Sequence, residues 1–256
     1  MRGLLRSLLR RLGCKSFSLS DYDYFISLTR LFPSDKWETH GYTDPYFRHF
    51  SSLRHSPIRL LEIGVGGYES AERGYSNPRL GGESLRFWKA YFSKGSIFAI
   101  DIEDKTQLQE DRICIFQGSQ ADAAFLNQVL RRIGELDVII DDGSHINEHV
   151  IFTFNLLFPR LKMGGLYVIE DTQTSYWPGD YGGDATNRNN VSTIMGFFKS
   201  LVDGLNHAEF PDPVYQPSWF DQHIKAISFF HNLIFIEKGR NDRPSNMIRR
   251  GESIML

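Results

Sequence analysis

Short apolar runs alternate with helix-length segments through the middle of the chain, and this alternation restricts the fold more than any other feature. The runs are IRLLEI at 58–63, IFAID at 97–101, RICIF at 112–116, DVIID at 137–141 and LYVIE at 166–170. Apolar runs of this length are typical of parallel strands that are buried on both faces. Because helical segments at 82–92, 120–133 and 145–162 separate most of them, the pattern predicts an α/β sheet.

A hairpin signal follows near the end of the chain. KAISFF at 225–230 and LIFIEK at 233–238 are separated by His231 and Asn232 alone. Strands joined by so short a turn run antiparallel, so the parallel sheet is expected to end in an antiparallel hairpin. A helix near 190–206 is expected to precede this hairpin, and 256 residues suffice for one such domain.

The N-terminal part of the chain differs from this core. MRGLLRSLLRRLGCK, residues 1–15, places leucines on one helical stripe beside five positive charges. Two interpretations stay open: a helix that packs on the body or on a second subunit, and a helix that lies on an anionic membrane surface. A second helix is predicted at 20–32, whereas the aromatic-rich stretch 33–56 has no clear period and is interpreted as an ordered loop or lid.

Three parts are therefore expected along the chain. They are an N-terminal amphipathic helix with a lid or oligomerisation segment at 1–56, the α/β domain at 57–240 and a polar tail at 241–256. The net charge of -2 gives no reason to expect a nucleic-acid partner. The two cysteines, Cys14 and Cys114, show neither metal spacing nor a disulfide framework, which favours the cytoplasm. If the first helix binds lipid, the protein would lie at the inner face of the membrane.

A glycine turn follows the first predicted strand. In LLEIGVGGYES, Gly64 and Gly66 would let the backbone approach a nucleotide-like ligand, although a tight turn without a ligand explains these glycines equally well. Glu69 stands where a dinucleotide-binding loop has its third glycine, so a ligand without phosphates suits this turn better. The acids Glu62 and Asp101, at the ends of the first two strands, would favour a ligand that carries a sulfonium and an amino group.

Acidic residues cluster after the fourth and fifth predicted strands. Asp141 and Asp142 end one strand, and Glu170 and Asp171 end the next. Because the carboxyl ends of parallel strands meet at one edge of a sheet, these carboxylates are expected to converge and to require a cation. Hard oxygen ligands favour Mg²⁺, Mn²⁺ or Ca²⁺, so Asp142, Glu170 and Asp171 are predicted metal ligands, with helix capping as the alternative. His145 beside them suits a general base.

These segments together resemble a known family. EIGVGGY, GGESLRFWKAYF, FAIDI, FQGSQAD, DVIIDDGSH and YVIEDTQTSYW, with KWETHGYTDPYFRHF upstream and ISFFHNLIFIEKG downstream, are similar to the mycinamicin and macrocin O-methyltransferases over roughly 33–240. These are class I S-adenosylmethionine-dependent enzymes that methylate sugar hydroxyls. The resemblance implies a Rossmann-like, seven-stranded, mostly parallel sheet and oligomer formation. It implies Mg²⁺ on Asp142, Glu170 and Asp171, and His145 as the base. It also implies a cofactor pocket formed by Glu62, Gly64, Gly66, Ser84, Asp101, Ser119, Gln120 and Asp141.

The acceptor stays open at this point. A glycan, a polysaccharide and a glycosylated natural product all fit, and the acceptor side is expected to include His40, Tyr42, Tyr176, Trp177 and Tyr181. The loop 172–190 is expected to form a lid over the acceptor. Two rival functions are an antibiotic-pathway oxygenase of the cephalosporin-hydroxylase type, which would need two histidines and one carboxylate on iron, and a non-catalytic cofactor-binding scaffold.

Overall fold

The computed structural model describes residues 20–67 and 81–245. The predicted helix at 1–15 and the greater part of the polar tail lie outside these residues. The helices in the described ranges are α1 (Asp21–Leu31), α2 (Asp35–Glu38), α3 (Thr43–Phe50), α4 (Glu83–Tyr91), α5 (Ala123–Ile133), α6 (Asn147–Leu157), α7 (Ile194–Ser200) and α8 (Trp219–His223). None of them is both long and apolar enough to cross a membrane.

A single sheet of seven strands forms the centre of the described structure. Its strands are β1 (Arg59–Ile63), β2 (Ser96–Asp101), β3 (Ile113–Gln117), β4 (Leu136–Asp141), β5 (Leu161–Glu170), β6 (Ile224–Phe230) and β7 (Leu233–Lys238). The spatial order is β3-β2-β1-β4-β5-β7-β6. The first five strands are parallel, and β7 runs antiparallel to both β5 and β6. The predicted fold class and the terminal hairpin are confirmed.

The boundaries of two predicted helices are wrong. The helix predicted at 145–162 ends at Leu157, where a 3-10 turn over Phe158–Arg160 leads directly into β5. That strand therefore starts five residues earlier than predicted, and it includes Gly164 and Gly165, which weaken the apolar pattern. The helix predicted at 190–206 covers Ile194–Ser200, because Thr193 caps its first turn through the Gly196 N–H.

Residues 33–56 contain helices, contrary to the prediction of a loop. Two short helices, α2 and α3, and a 3-10 turn at Ser51–Leu53 occupy most of this stretch. Since α2 has four residues, it is too short to show a helical period in the sequence. Its Trp37 packs edge-on against Phe25 of α1, with ring centroids 5.6 Å apart, so tertiary contacts stabilise this region.

Each face of the sheet is covered by a separate apolar layer. Helices α5, α6 and α7 pack on one face through residues such as Leu126, Phe154 and Phe198. The opposite face is covered by α4 together with α1, α2 and α3. The N-terminal helices are therefore part of the hydrophobic core, and this packing brings α2 and α3 over the carboxyl ends of the central strands.

Candidate active site

A glycine turn follows β1 and packs against the backbone just beyond β4. Ile63 pairs with Asp141, so the residues that follow each strand are neighbours. Gly64 has a φ of +89°, and a Cβ at this position would overlap the backbone carbonyl oxygen of Asp142. The Asp101 carboxylate at the end of β2 accepts a hydrogen bond of 2.8 Å from the Val65 N–H. The turn is therefore fixed on both sides, by β2 and by the acidic strand β4.

Three side chains predicted from the sequence meet just beyond the ends of β4 and β5. One ligand atom each from Asp142, His145 and Asp171 lies within 4.8 Å of the others. His145 has a φ of 54° and Asp171 a φ of 53°, a left-handed conformation that is uncommon outside glycine. The His145 Nε2 atom lies 3.8 Å from Oδ2 of Asp171. Strained backbone of this kind persists where the surrounding structure holds it, and it is enriched at functional sites.

Glu170 lies next to this group but makes different contacts. Its Oε1 atom accepts hydrogen bonds from Lys36, at 2.8 Å, and from the hydroxyl of Tyr46. Its Oε2 atom is buried and has no hydrogen-bond partner among the described residues. A buried carboxylate oxygen without a partner costs free energy, so this atom is available to a cation. Metal ligation by Glu170 stays a prediction.

Sequence reasoning missed the contribution of α2 and α3 to the site. Lys36 is 2% exposed, and its Nζ atom lies 3.3 Å from Glu62 and 2.8 Å from Glu170 and contacts Asp142. Lys36 and Tyr46 both fall in KWETHGYTDPYFRHF, a segment that carries the family resemblance. The sequence nevertheless gives no sign of which of its side chains face the sheet, because the helices are too short for a period.

The charges in this cluster are unbalanced. Burial raises the pKa of Glu62 to about 7, although the Lys36 ammonium opposes this rise. Burial, with Asp142 nearby, raises the pKa of Glu170 well above its ordinary range, and burial also raises the pKa of Asp142. Burial alone would lower the pKa of Lys36, but the three carboxylates outweigh it and raise that pKa well above the ordinary lysine value. One ammonium thus contacts three carboxylates, and a fourth, that of Asp171, lies near Asp142. A divalent cation would relieve this excess of negative charge.

The donor set fits a hard divalent cation. Carboxylate oxygens of Asp142 and Asp171 converge, and the unpartnered oxygen of Glu170 lies in the same acidic cluster. Mg²⁺ and Mn²⁺ prefer such oxygen ligands, whereas zinc sites are richer in thiolate and imidazole. The structure also brings His40, which the sequence predicted on the acceptor side, to 3.3 Å from Asp171, so a second imidazole lies beside the carboxylates.

The predicted cofactor residues lie along the carboxyl edge of β1 to β4. Gln120 donates a hydrogen bond of 3.1 Å to Asp141 and accepts one of 2.7 Å from the Ser144 N–H. Burial raises the pKa of Asp141 to about 7, against the hydrogen bonds from Gln120 and Tyr167. Ser84 is buried in the first turn of α4, and the Ser119 hydroxyl accepts the Ala121 N–H. Asp141 therefore belongs to a hydrogen-bonded group that is separate from the cluster of Asp142, His145 and Asp171.

The residues predicted for the acceptor side fall into two groups. His40 and Tyr42 lie between α2 and α3, and the buried Tyr42 donates a hydrogen bond of 2.8 Å to Asp171. Tyr176 and Trp177, which are 38% and 45% exposed, lie in the loop after β5, and Trp177 packs edge-on against Tyr181. The exposed pair could present an aromatic face to a ligand, whereas Tyr42 reaches the site through its hydroxyl.

Known proteins of similar sequence share one kind of activity. The chain is 48% identical over 220 residues to mycinamicin VI 2''-O-methyltransferase of Micromonospora griseorubida, covering 84% of this chain and 53% of that protein. It is 43% identical over 221 residues to 8-demethyl-8-alpha-L-rhamnosyl tetracenomycin-C 2'-O-methyltransferase of Streptomyces olivaceus, covering 86% and 56%. The chain is a homologue of the sugar O-methyltransferases. It spans about half the length of these curated relatives, and it matches no protein-family model.

The fold comparison agrees with this homology. The MycE methyltransferase of the mycinamycin biosynthetic pathway, in complex with Mg and SAH, superimposes with a TM-score of 0.79 at 44% identity. The match covers 89% of this chain and 58% of MycE. A second MycE structure, which also contains mycinamycin VI, gives the same TM-score. The sugar O-methyltransferase homologue therefore has the class I methyltransferase fold that its sequence resemblance implied.

Proposed function

We propose that this protein is an S-adenosylmethionine-dependent O-methyltransferase that uses Mg²⁺ or Mn²⁺ to methylate a sugar hydroxyl. The observation that carries the proposal is the convergence of Asp142, His145 and Asp171 beside the glycine turn of β1. In this proposal the cation site, the general base and the cofactor pocket all lie at one edge of the sheet. The MycE structures contain Mg and SAH, and the curated relatives are named as O-methyltransferases, one of them of a rhamnosyl tetracenomycin.

Asp142, Glu170 and Asp171 would hold the metal. A bound divalent cation lowers the pKa of a coordinated hydroxyl and stabilises negative charge on its oxygen. The three carboxylates sit on the ends of β4 and β5, whose pairing fixes their spacing. Residues held on a rigid sheet edge lose little conformational entropy when the reacting groups are aligned, and this alignment supplies a large part of the rate enhancement.

His145 would act as the general base. Its imidazole accepts the proton of the acceptor hydroxyl, and the nearby carboxylate of Asp171 stabilises the resulting imidazolium. The acceptor oxygen bonds to the methyl carbon as the carbon–sulfur bond breaks, which gives the methyl ether and S-adenosylhomocysteine. Since the His145 side chain is 21% exposed, it can pass its proton to solvent and return to the neutral form.

The cofactor would lie across the carboxyl ends of β1, β2 and β4. Gly64 and Gly66 would form the turn that the cofactor packs against, with the space beyond Gly66 open, and Glu62, Asp101 and Asp141 would suit its positive groups. Ser84, Ser119 and Gln120 add polar side chains along the same edge. These assignments rest on position in the sheet and on the resemblance to enzymes that use this cofactor.

The acceptor would be a sugar on a larger molecule. Tyr176, Trp177 and Tyr181 offer aromatic surface in the segment that follows Asp171 along the chain, and sugar rings pack well on aromatic faces. His40 and Tyr42 would approach the acceptor through their polar atoms. A glycan, a polysaccharide and a glycosylated natural product remain the candidate acceptors. Formation of a homo-oligomer and membrane contact through residues 1–15 stay predictions.

Two histidine variants test the proposed mechanism. His145→Ala should retain S-adenosylhomocysteine binding and Mn²⁺ binding but lose methyl transfer, by about 10²–10⁴-fold for a general base. His149→Ala is the matched control, because His149 lies one helical turn on and contacts Ser144. The assay follows labelled methyl transfer to a panel of glycosides, with calorimetry for S-adenosylhomocysteine and electron paramagnetic resonance for Mn²⁺. Equal methyl transfer by wild type and His145→Ala would refute the assignment.

The same assay separates the rival functions. EDTA should abolish methyl transfer and Mg²⁺ should restore it if the carboxylates hold a catalytic cation. Asp142→Ala should lose Mn²⁺ binding and activity together. Oxygen uptake without methyl transfer would favour an oxygenase, and cofactor binding without turnover of any glycoside would favour a scaffold subunit.

A further inference from the structure

A buried ammonium lies inside the acid cluster. Lys36 is 2% exposed, and its Nζ atom is shared among carboxylates from three different strands: Glu62 of β1 at 3.3 Å, Glu170 of β5 at 2.8 Å, and Asp142 just after β4. The ammonium donates hydrogen bonds to Asp142 and Glu170, and Glu62 lies at ion-pair distance from it. The Lys36 side chain thus supplies a positive charge at the point where the three carboxylates converge.

Contacts from the same segment hold Lys36 over the strand ends. Tyr46 donates a hydrogen bond to Glu170, and the Tyr42 hydroxyl lies within hydrogen-bond distance of both Asp171 and the Asn232 carbonyl, either of which can accept its one proton. Trp37, the next residue along the chain, packs within the aromatic layer against Phe87, with ring centroids 4.4 Å apart. The packing of α2 and α3 in the core therefore places the Lys36 ammonium in the acid cluster and holds it there.

Two of the three acids that contact Lys36 are also proposed metal ligands. Asp142 and Glu170 would each have to serve both the ammonium and a divalent cation. Like charges a few ångströms apart in a buried site repel strongly, because the protein interior screens them less than water does. Binding of the metal and retention of the lysine contacts must therefore oppose each other.

We propose that Lys36 is a resident counter-ion that keeps the acid cluster assembled before the metal arrives and that weakens metal binding by competing for Asp142 and Glu170. The inference rests on the proposed metal-dependent function and deepens it. Lys36 is a positioning residue in this scheme, since it orients the carboxylates and takes no part in the bond changes. The N-terminal helices would then set the metal affinity of a site built on the sheet.

Substitution of Lys36 by methionine tests the proposal with a readout that needs no methyl donor. Methionine is unbranched and of similar length, so it fills the space without the charge. At pH 8, Lys36→Met should bind Mn²⁺ at least tenfold more tightly than wild type, measured by electron paramagnetic resonance. Its thermal midpoint without metal should fall, and added Mn²⁺ should raise that midpoint by more than it does in wild type.

The control is Lys162→Met, which makes the same change of net charge far from the site. Lys162 pairs with Asp137 at 2.8 Å, near the amino ends of the strands, and is half-exposed. Its Mn²⁺ affinity should match that of wild type. If Lys36→Met does not fold without metal, Lys36→Gln keeps hydrogen-bond donors without the charge and serves for the same measurement.

Each outcome decides one question. Tighter Mn²⁺ binding by Lys36→Met or Lys36→Gln supports the counter-ion role, whereas equal or weaker binding overturns it while the metal site stands. Failure of the wild type to bind Mn²⁺ would overturn the metal-dependent function itself. Normal Mn²⁺ behaviour combined with no methyl transfer to any glycoside would count against the proposed reaction and leave the counter-ion role intact.

Discussion

Replacement of Gly64 by alanine would test how tightly the glycine turn is joined to the acidic strand. Gly64 has a φ of +89°, and an added Cβ would overlap the carbonyl oxygen of Asp142 and lie 2.8 Å from its carbonyl carbon. Both atoms are backbone, so no side-chain rotation can relieve the contact. The end of β4 would have to move away from β1, and Asp142 would move with it.

The expected magnitude has two parts. Placing an L-residue in a left-handed conformation costs about 1–2 kcal/mol. Forcing extra volume against packed backbone adds about 1–3 kcal/mol. Methyl transfer should slow as well, by roughly a hundredfold if the end of β4 moves by about 1 Å.

Gly66→Ala is the matched control for this variant. Gly66 also has a positive φ, +72°, but no described atom lies within 4 Å of its built Cβ. Both variants carry the backbone strain, and Gly64→Ala alone carries the overlap with Asp142. Urea unfolding should therefore show Gly64→Ala to be less stable than Gly66→Ala by about 1–3 kcal/mol. Mn²⁺ affinity should also be lower in Gly64→Ala than in its control.

Equal unfolding free energies and equal Mn²⁺ affinities in the two variants would refute this reasoning. Such a result would mean that the ends of β1 and β4 separate without cost. The coupling inferred between the glycine turn and Asp142 would then be absent.

Two further predictions concern polar contacts at different burial. Tyr46→Phe removes a buried hydrogen bond to the Glu170 carboxylate and should lower the free energy of unfolding in urea by about 1.5–3 kcal/mol. Tyr22→Phe removes an exposed hydrogen bond and should change that free energy by less than about 0.5 kcal/mol. Equal losses in the two variants would contradict a stabilising role for the buried Tyr46 hydrogen bond. Backbone and side-chain hydrogen bonds within the loop lower the pKa of Asp184. The ionised Asp184 carboxylate therefore stabilises the loop fully above the ordinary aspartate pKa, and this stabilisation is lost as the pH falls through the lowered pKa. Asp184→Asn should thus increase proteolysis of the loop 184–190 at pH 7, and the exposed Asp180→Asn should not; equal cleavage rates would count against the prediction.

The sequence determined which segments form the core strands and the direction in which most of them run. Apolar runs separated by helical segments predict parallel strands, and the two-residue gap at His231 and Asn232 predicts the hairpin, because both signals depend on neighbours along the chain. The acids after β4 and β5 were found for the same reason. Each directly follows a strand, and parallel strands bring their carboxyl ends to one edge.

Tertiary structure determined the features that local sequence patterns do not indicate. Helices α2 and α3 are short and lack a visible period, so their formation depends on aromatic contacts with α1 and α4. The role of Lys36 was hidden because its partners lie 26 or more residues away along the chain. A side chain's charge can be read from the sequence, but its partners depend on which elements pack together, and that is a property of the folded chain alone.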